Sequence, residues 1–76
     1  MKELLTYIAK HLVSEPDAVS VTEVEKDDET VFELRVAPDD MGKVIGRHGR
    51  IAKEIRTLMK AAGNRENKKV SVEIVD

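Results

Sequence analysis

Val44-Ile45-Gly46-Arg47-His48-Gly49-Arg50-Ile51 sets a Gly-x-x-Gly turn between two segments of helical apolar periodicity and loads that turn with cations. Glycine at both ends frees the backbone to bend sharply and to approach a ligand with no Cβ in the way. Arg47, His48 and Arg50 supply donors that suit phosphate oxygens. The second glycine also opens a helix, whose first amides lack intrahelical partners and carry partial positive charge. The stretch reads as a clamp for a nucleic-acid backbone. A Gly-x-x-Gly by itself equally suits a tight corner between two helices, so its surroundings decide.

Downstream of the turn, Ile51, Ala52, Ile55, Leu58, Met59 and Ala62 give the cleanest helical stripe in the chain, and Gly63-Asn64 is a standard close for such a helix. Arg65 to Lys69 is a polar, basic loop, after which Val70, Val72 and Ile74 alternate with Ser71 and Glu73 as a strand. Upstream, an aspartate in Pro38-Asp39-Asp40 suits the cap of a short helix from about Met41 to Ile45. Before it, Phe32, Leu34 and Val36 alternate with Glu33 and Arg35 as a half-buried strand, and Lys26 to Thr30 reads as a charged hairpin turn. Val19, Val21 and Val24 mark an earlier strand whose imperfect phase allows a bulge or slip near Thr22. Leu4, Leu5, Ile8, Leu12 and Val13, with Tyr7 alongside, predict an amphipathic helix over residues 2 to 13, ended by Ser14-Glu15-Pro16-Asp17.

Seventy-six residues suit one domain, near the lower size at which a core holds without a disulfide or metal staple. The absence of cysteine excludes a disulfide framework, thiolate metal sites and thiol chemistry. Nothing resembles a signal peptide, and no apolar run approaches the roughly 18 residues that span a bilayer, so the expected address is the cytoplasm with no membrane partner. The net charge of −2 hides an asymmetry: residues 1–41 hold four Lys/Arg against eleven Asp/Glu, whereas residues 42–69 hold nine against two. Such a split is a sign of a polyanion-binding face, with the acidic half keeping the polyanion from binding elsewhere. The alternative is that basic and acidic segments pair with one another in the fold.

Two short helices joined by this Gly-x-x-Gly and flanked by strands resemble the KH domain over the whole chain. The family signature Val-Ile-Gly-x-x-Gly-x-x-Ile is matched with one departure. Ile51 falls two rather than three positions beyond Gly49, and Ala52 takes the usual isoleucine place. The extra helix and strand ahead of the core resemble the type II form, and so short a chain is similar to the small KhpA-type RNA-binding proteins of bacteria. The resemblance implies an α+β fold of order α-β-β-α-α-β, a single type II KH domain over residues 1–76 with three helices packed on one face of a three-stranded sheet. It implies binding of single-stranded RNA, with about four nucleotides held by the turn and the bases in an adjoining apolar groove. Gly46, Arg47, His48 and Gly49 match the clamp, and Lys43, Val44, Ile45, Arg50 and Lys53 complete the expected site. Ala52 and Ile55 would add apolar surface, Arg56 and Lys60 could extend a basic stripe, and Lys68 and Lys69 end the loop that in type II domains borders the groove. Also implied are a role in RNA metabolism or post-transcriptional regulation, as an RNA chaperone, and pairing as a homodimer or with a larger KH-containing protein. No cofactor or metal is implied.

Tyr7 and Phe32 are the only aromatic residues, and Phe32 is in phase with the core, so the exposed rings that stacking modules need are not expected. One domain with a few phosphate contacts should bind weakly, with a log-log salt slope of about −0.7 per phosphate. Linking weak sites raises their effective concentration, which favours a dimer. His11 and His48 are isolated, no serine triad is apparent and Gly42-Lys43 lacks the phosphate-loop order, so no enzyme is expected. The competing reading is a KH-fold protein-protein adaptor, for which Val31 and Val75, out of phase with the buried sets, mark a patch on the open sheet face.

Overall fold

Leu5 and Ala9 are the fully covered positions of α1 (Lys2–Leu12), with Ile8 and Leu12 packed beside them, so the apolar stripe of that helix faces inward as its spacing predicts. The structure, a computed structural model, describes residues 1–75. The helix ends at Val13 in extended geometry, and Pro16 opens one 3-10 turn, Pro16–Ala18. β1 (Ser20–Lys26) and β2 (Glu29–Arg35) then form a hairpin. Its register runs unbroken from Ser20 opposite Arg35 to Lys26 opposite Glu29, so the bulge considered near Thr22 is not there. The phase break has another cause: Val21 faces the core while Val24 faces the other way, opposite Val31. The turn is also tighter than Lys26 to Thr30. It comprises Asp27 and Asp28, with Asp27 at φ 52, a conformation that aspartate tolerates better than most residues.

β3 (Lys69–Val75) pairs in parallel with β2, giving the order β1-β2-β3. Parallel neighbours need a long crossover. Here it is a 3-10 turn (Pro38–Asp40), α2 (Met41–Ile45), the Gly-x-x-Gly turn and α3 (Arg50–Arg65). Cross-strand rows Val21-Leu34-Ile74 and Phe32-Val72 put the apolar side chains on one face, and the three helices cover it. Leu5, Phe32, Leu34, Val44 and Met59 are almost wholly enclosed there. Burial of each such side chain stabilises the fold by about 1.5–3 kcal/mol. This is the α+β arrangement expected from the sequence. Among the described residues no helix is long and apolar enough to cross a membrane.

Two expectations need correction. Val31 does not offer a patch on the open face, because it lies on the central strand between Val24 and Ser71 and is only 6% exposed. Gly63 does not close α3. It is buried inside the helix, where an added Cβ would stand 2.7 Å from Val70 Cγ2 and 2.9 Å from the Lys68 carbonyl, so it is the point at which helix and strand approach. The helix is closed by Asn67 at φ 57: its N–H donates to the Asn64 carbonyl (3.2 Å) and that of Lys68 to the Gly63 carbonyl (2.8 Å). These are the paired bonds of a Schellman motif, with asparagine in the left-handed place.

Candidate nucleic-acid interface

The short helix ahead of the clamp is too brief to hold itself, and Asp40 ties it down. The expectation that Asp40 caps α2 is corrected, since no side-chain cap bond is made there among the described residues. Its carboxylate, 1% exposed, accepts hydrogen bonds from the Ser14 and Glu15 amides (3.1 and 3.0 Å) and from Lys43 Nζ (3.0 Å). Lys43 also donates to the Ser14 hydroxyl. The chain leaving α1 carries amides with no helical partner, and one carboxylate satisfies two of them. The Lys43 ammonium, with the two amides assisting against the cost of burial, holds the Asp40 carboxyl below the ordinary aspartate value of 3.8. Lys43, expected at the RNA site, keeps its side chain 47% exposed while its ammonium bonds Asp40 and Ser14.

At the turn, Gly46 adopts φ 77 and ψ 173, a region open essentially to glycine alone. A Cβ there would also stand 2.6 Å from Ile51 Cγ1 and 2.9 Å from Ile51 Cβ. Ile51, the residue one place early for the family signature, therefore packs directly beneath the clamp backbone. Ala52 occupies the core, 4% exposed, where a smaller side chain suffices. His48 (φ 57) and Gly49 (φ 73) follow in left-handed geometry, and the Gly49 N–H donates to the Gly46 carbonyl at 3.1 Å. These two residues reverse the chain and start α3, and among the described residues no side-chain oxygen caps that helix. Its first-turn amides point back toward the turn.

The expected site residues separate by burial. Val44, with 0% exposure, belongs to the core together with Ala52 and Ile55, so it supports the clamp from below. Ile45 is exposed and Ile51 half-buried, and these two form the apolar surface beside the turn. Arg47, His48, Arg50 and Lys53 are all exposed, and among the described residues none of them is in an ion pair. Beyond them, Arg56 Nε donates to the Val72 carbonyl at 3.2 Å, linking α3 to β3, the outer strand of the sheet. Sequence periodicity placed Arg56 on a face but carried no signal for this long-range bond.

Lys68 and Lys69 stand at the other end of α3, about 24 Å along the helix axis from the turn. There they line an open depression with Glu25, Asp27 and Asp28 of the hairpin. Acidic and basic segments thus neighbour one another at that end, while the cations at the clamp stand clear. Tyr7 departs from expectation in a different way. It is 63% exposed, its ring 4.2 Å from that of His11 on the outer face of α1, so one exposed aromatic does exist, away from the clamp.

Residues 2–74 match the family model described as KhpA/KhpB, KH domain. The chain is 60% identical over 75 residues to the RNA-binding protein KhpA of Clostridium acetobutylicum, a match covering 99% of this chain and 100% of that protein. It is 46% identical over 76 residues to the RNA-binding protein KhpA of Listeria monocytogenes, with both chains fully covered. Among solved structures, a crystal structure of an Aquifex aeolicus Era variant bound to GDP and aluminium fluoride superposes with a TM-score of 0.60 at 23% identity. That match covers 96% of this chain and 28% of the Era chain, and it speaks to fold alone. With the Gly46–Gly49 turn, the type II element order and the full-length relatives in agreement, the chain belongs to the KhpA/KhpB family of KH domains.

Proposed function

We propose that the protein binds single-stranded RNA, holding about four nucleotides by their backbone at Gly46–Gly49, and that it acts as a dimer in post-transcriptional regulation, as an RNA chaperone in the cytoplasm. The observation that carries this reading is the clamp itself. Two glycines are held in conformations that bring backbone to the surface, and Arg47, His48, Arg50 and Lys53 stand exposed around them without ion-pair partners among the described residues. The relatives' name as RNA-binding proteins supports the same class of ligand. Ile45 and Ile51 give the bases an apolar surface, while Lys43 serves the clamp through Asp40.

Fluorescence anisotropy with a short unstructured RNA, at two salt concentrations, tests this. Arg47→Asp/His48→Asp is expected to weaken binding at least tenfold while circular dichroism remains native. The wild-type salt slope should be near −0.7 for each phosphate held. No binding by the wild type at low salt would favour the adaptor.

Pairing is best served by the helical layer. Leu4, Tyr7 and Leu58 are 41%, 63% and 54% exposed, respectively. Helical spacing puts Leu58 on the flank of α3 opposite Lys53, Arg56 and Lys60, so a second copy docked there would leave the cationic flank open. Leu58→Glu is expected to weaken self-association by about tenfold or more in sedimentation equilibrium, with binding of a short RNA retained. An unchanged dimer would remove this face from the pairing role.

A further inference from the structure

We infer that the free edge of β1 takes up an extended, lysine- or arginine-rich segment of another protein, which joins the sheet as an added strand. β1 and β3 are the two outer strands, and they differ. β3 borders the cleft beside α3, across which Arg56 donates to the Val72 carbonyl. On β1, antiparallel pairing with β2 leaves alternate residues with N–H and C=O groups directed away from the sheet. Among the described residues these groups make no bond to any loop, helix or side chain. Five of the seven residues of β1, Ser20, Thr22, Glu23, Glu25 and Lys26, are exposed. Natural sheet edges avoid unwanted pairing by brevity, bulges, proline or charge. β1 runs in unbroken register over its full length and contains no proline, so charge is its protection.

That charge is one-sided. Residues 15–29 carry seven carboxylates against a single cation, Lys26. Lys68 and Lys69 face Glu25, Asp27 and Asp28 across an open depression, and Lys68 also borders the small cavity that Glu23 lines. None of these four carboxylates is in an ion pair among the described residues. A second copy is repelled, because β1 against β1 sets glutamates beside glutamates. A basic segment is attracted, so the charge that blocks self-pairing selects the partner. Strand geometry then sets the partner's pattern. Glu23 and Glu25 share the helix-side face with Val21, while Thr22 and Val24 lie on the open face. An added strand therefore carries lysine or arginine at every second position, beside the two glutamates, and β-branched residues between them, beside Thr22 and Val24. Main-chain bonds supply the affinity and this alternation the selectivity.

The test measures fluorescence anisotropy at low salt with a labelled peptide of alternating lysine and valine, blocked at both ends. Wild-type protein is expected to bind it about tenfold or more tightly than the glutamate-valine counterpart. Two further peptides are methylated on the backbone nitrogens of every lysine or of every valine. In an added strand only one of these sets faces β1, so one peptide should lose about tenfold or more in affinity and the other stay within about threefold of the parent. Glu23→Gln/Glu25→Gln keeps an acceptor for the Thr30 hydroxyl, which donates to Glu25 at 2.8 Å. This variant should weaken the parent peptide by about tenfold with a native circular dichroism spectrum. Equal binding of the three cationic peptides would overturn the inference, because it marks attraction of charge with no strand added. No binding of the parent peptide would do the same, as would undiminished binding by the glutamine variant. Hydrogen-exchange protection of β1 amides that rises with protein concentration alone would assign the edge to a second copy, and so would also overturn it.

Discussion

Gly46→Ala is expected to destabilise the domain by about 3–4 kcal/mol, and Gly49→Ala by only about 1 kcal/mol, although both glycines belong to the same turn and both have positive φ. At Gly49 the only penalty is the left-handed conformation, because a Cβ there meets no described atom within 4 Å. At Gly46 the backbone lies in a region that side chains scarcely enter, and the new methyl would press on Ile51 Cβ at 2.9 Å, the branch point of that side chain and not its mobile end. For a domain whose whole stability is on the order of 4–11 kcal/mol, the first change removes a large part of the margin. Urea melts followed by circular dichroism measure both. The Ile51→Ala background should recover part of the Gly46→Ala loss, since it removes the Cγ1 and Cδ1 contacts and leaves the Cβ contact and the backbone strain. Equal losses at the two glycines would show that the Ile51 contact carries no energy.

Asp40→Asn is expected to lower the melting temperature by roughly 10 °C at neutral pH, and the gap from wild type should close in acid. Ser14 N–H, Glu15 N–H and Lys43 all donate to Asp40, so the site calls for acceptors only. Asparagine brings one acceptor and a second group that is itself a donor. The pH dependence has a definite sign. The folded carboxyl is held below the ordinary value of 3.8, so its contribution is fully present above that value and is lost as pH falls through the lower folded one. Thermal melts at pH 7, 5 and 3 should therefore show a constant gap between wild type and variant at the first two and a smaller one at the last. A gap that persists at pH 3 would mean that the packing of residue 40 matters and its charge does not.

The elements that periodicity dictates were legible before any coordinates. The bounds of α2 at Met41–Ile45, the inward row Phe32-Leu34-Val36 and the stripe of α3 all follow from local spacing. What was not legible shares one physical character, dependence on a distant partner. Asp40 has the residue type and position of a helix cap, yet the two amides it accepts from lie 25 and 26 residues away along the chain. Gly63 carries the same local signal as a helix terminator, and only the proximity of Val70 reveals it as a packing position. Val31 reads as outward-facing, which it is, but a central strand covers it with its neighbours. At the candidate site the turn and its cations were readable from composition and spacing. The bond from Lys43 to Ser14 and the tie from Arg56 to Val72 belong to the tertiary structure, whereas Lys43 and Asp40 stand only three residues apart.

The parallel pairing of β2 with β3 has a consequence for how the binding surface comes into being. Everything proposed to touch RNA lies in the crossover between those two strands or along the edge of the second, and β3 is the last strand of the sheet. Hairpin and helix contacts form early because they are local, whereas a parallel pair closes only after the long connection has been made. During synthesis the hairpin can assemble while the clamp is still joined to unfinished chain. The cleft acquires its second wall, and Arg56 its anchor at Val72, only when residues 69–75 have emerged and docked. A nascent or partly unfolded molecule therefore lacks the cleft altogether, and the proposed capacity to hold a strand is tied to completion of the fold.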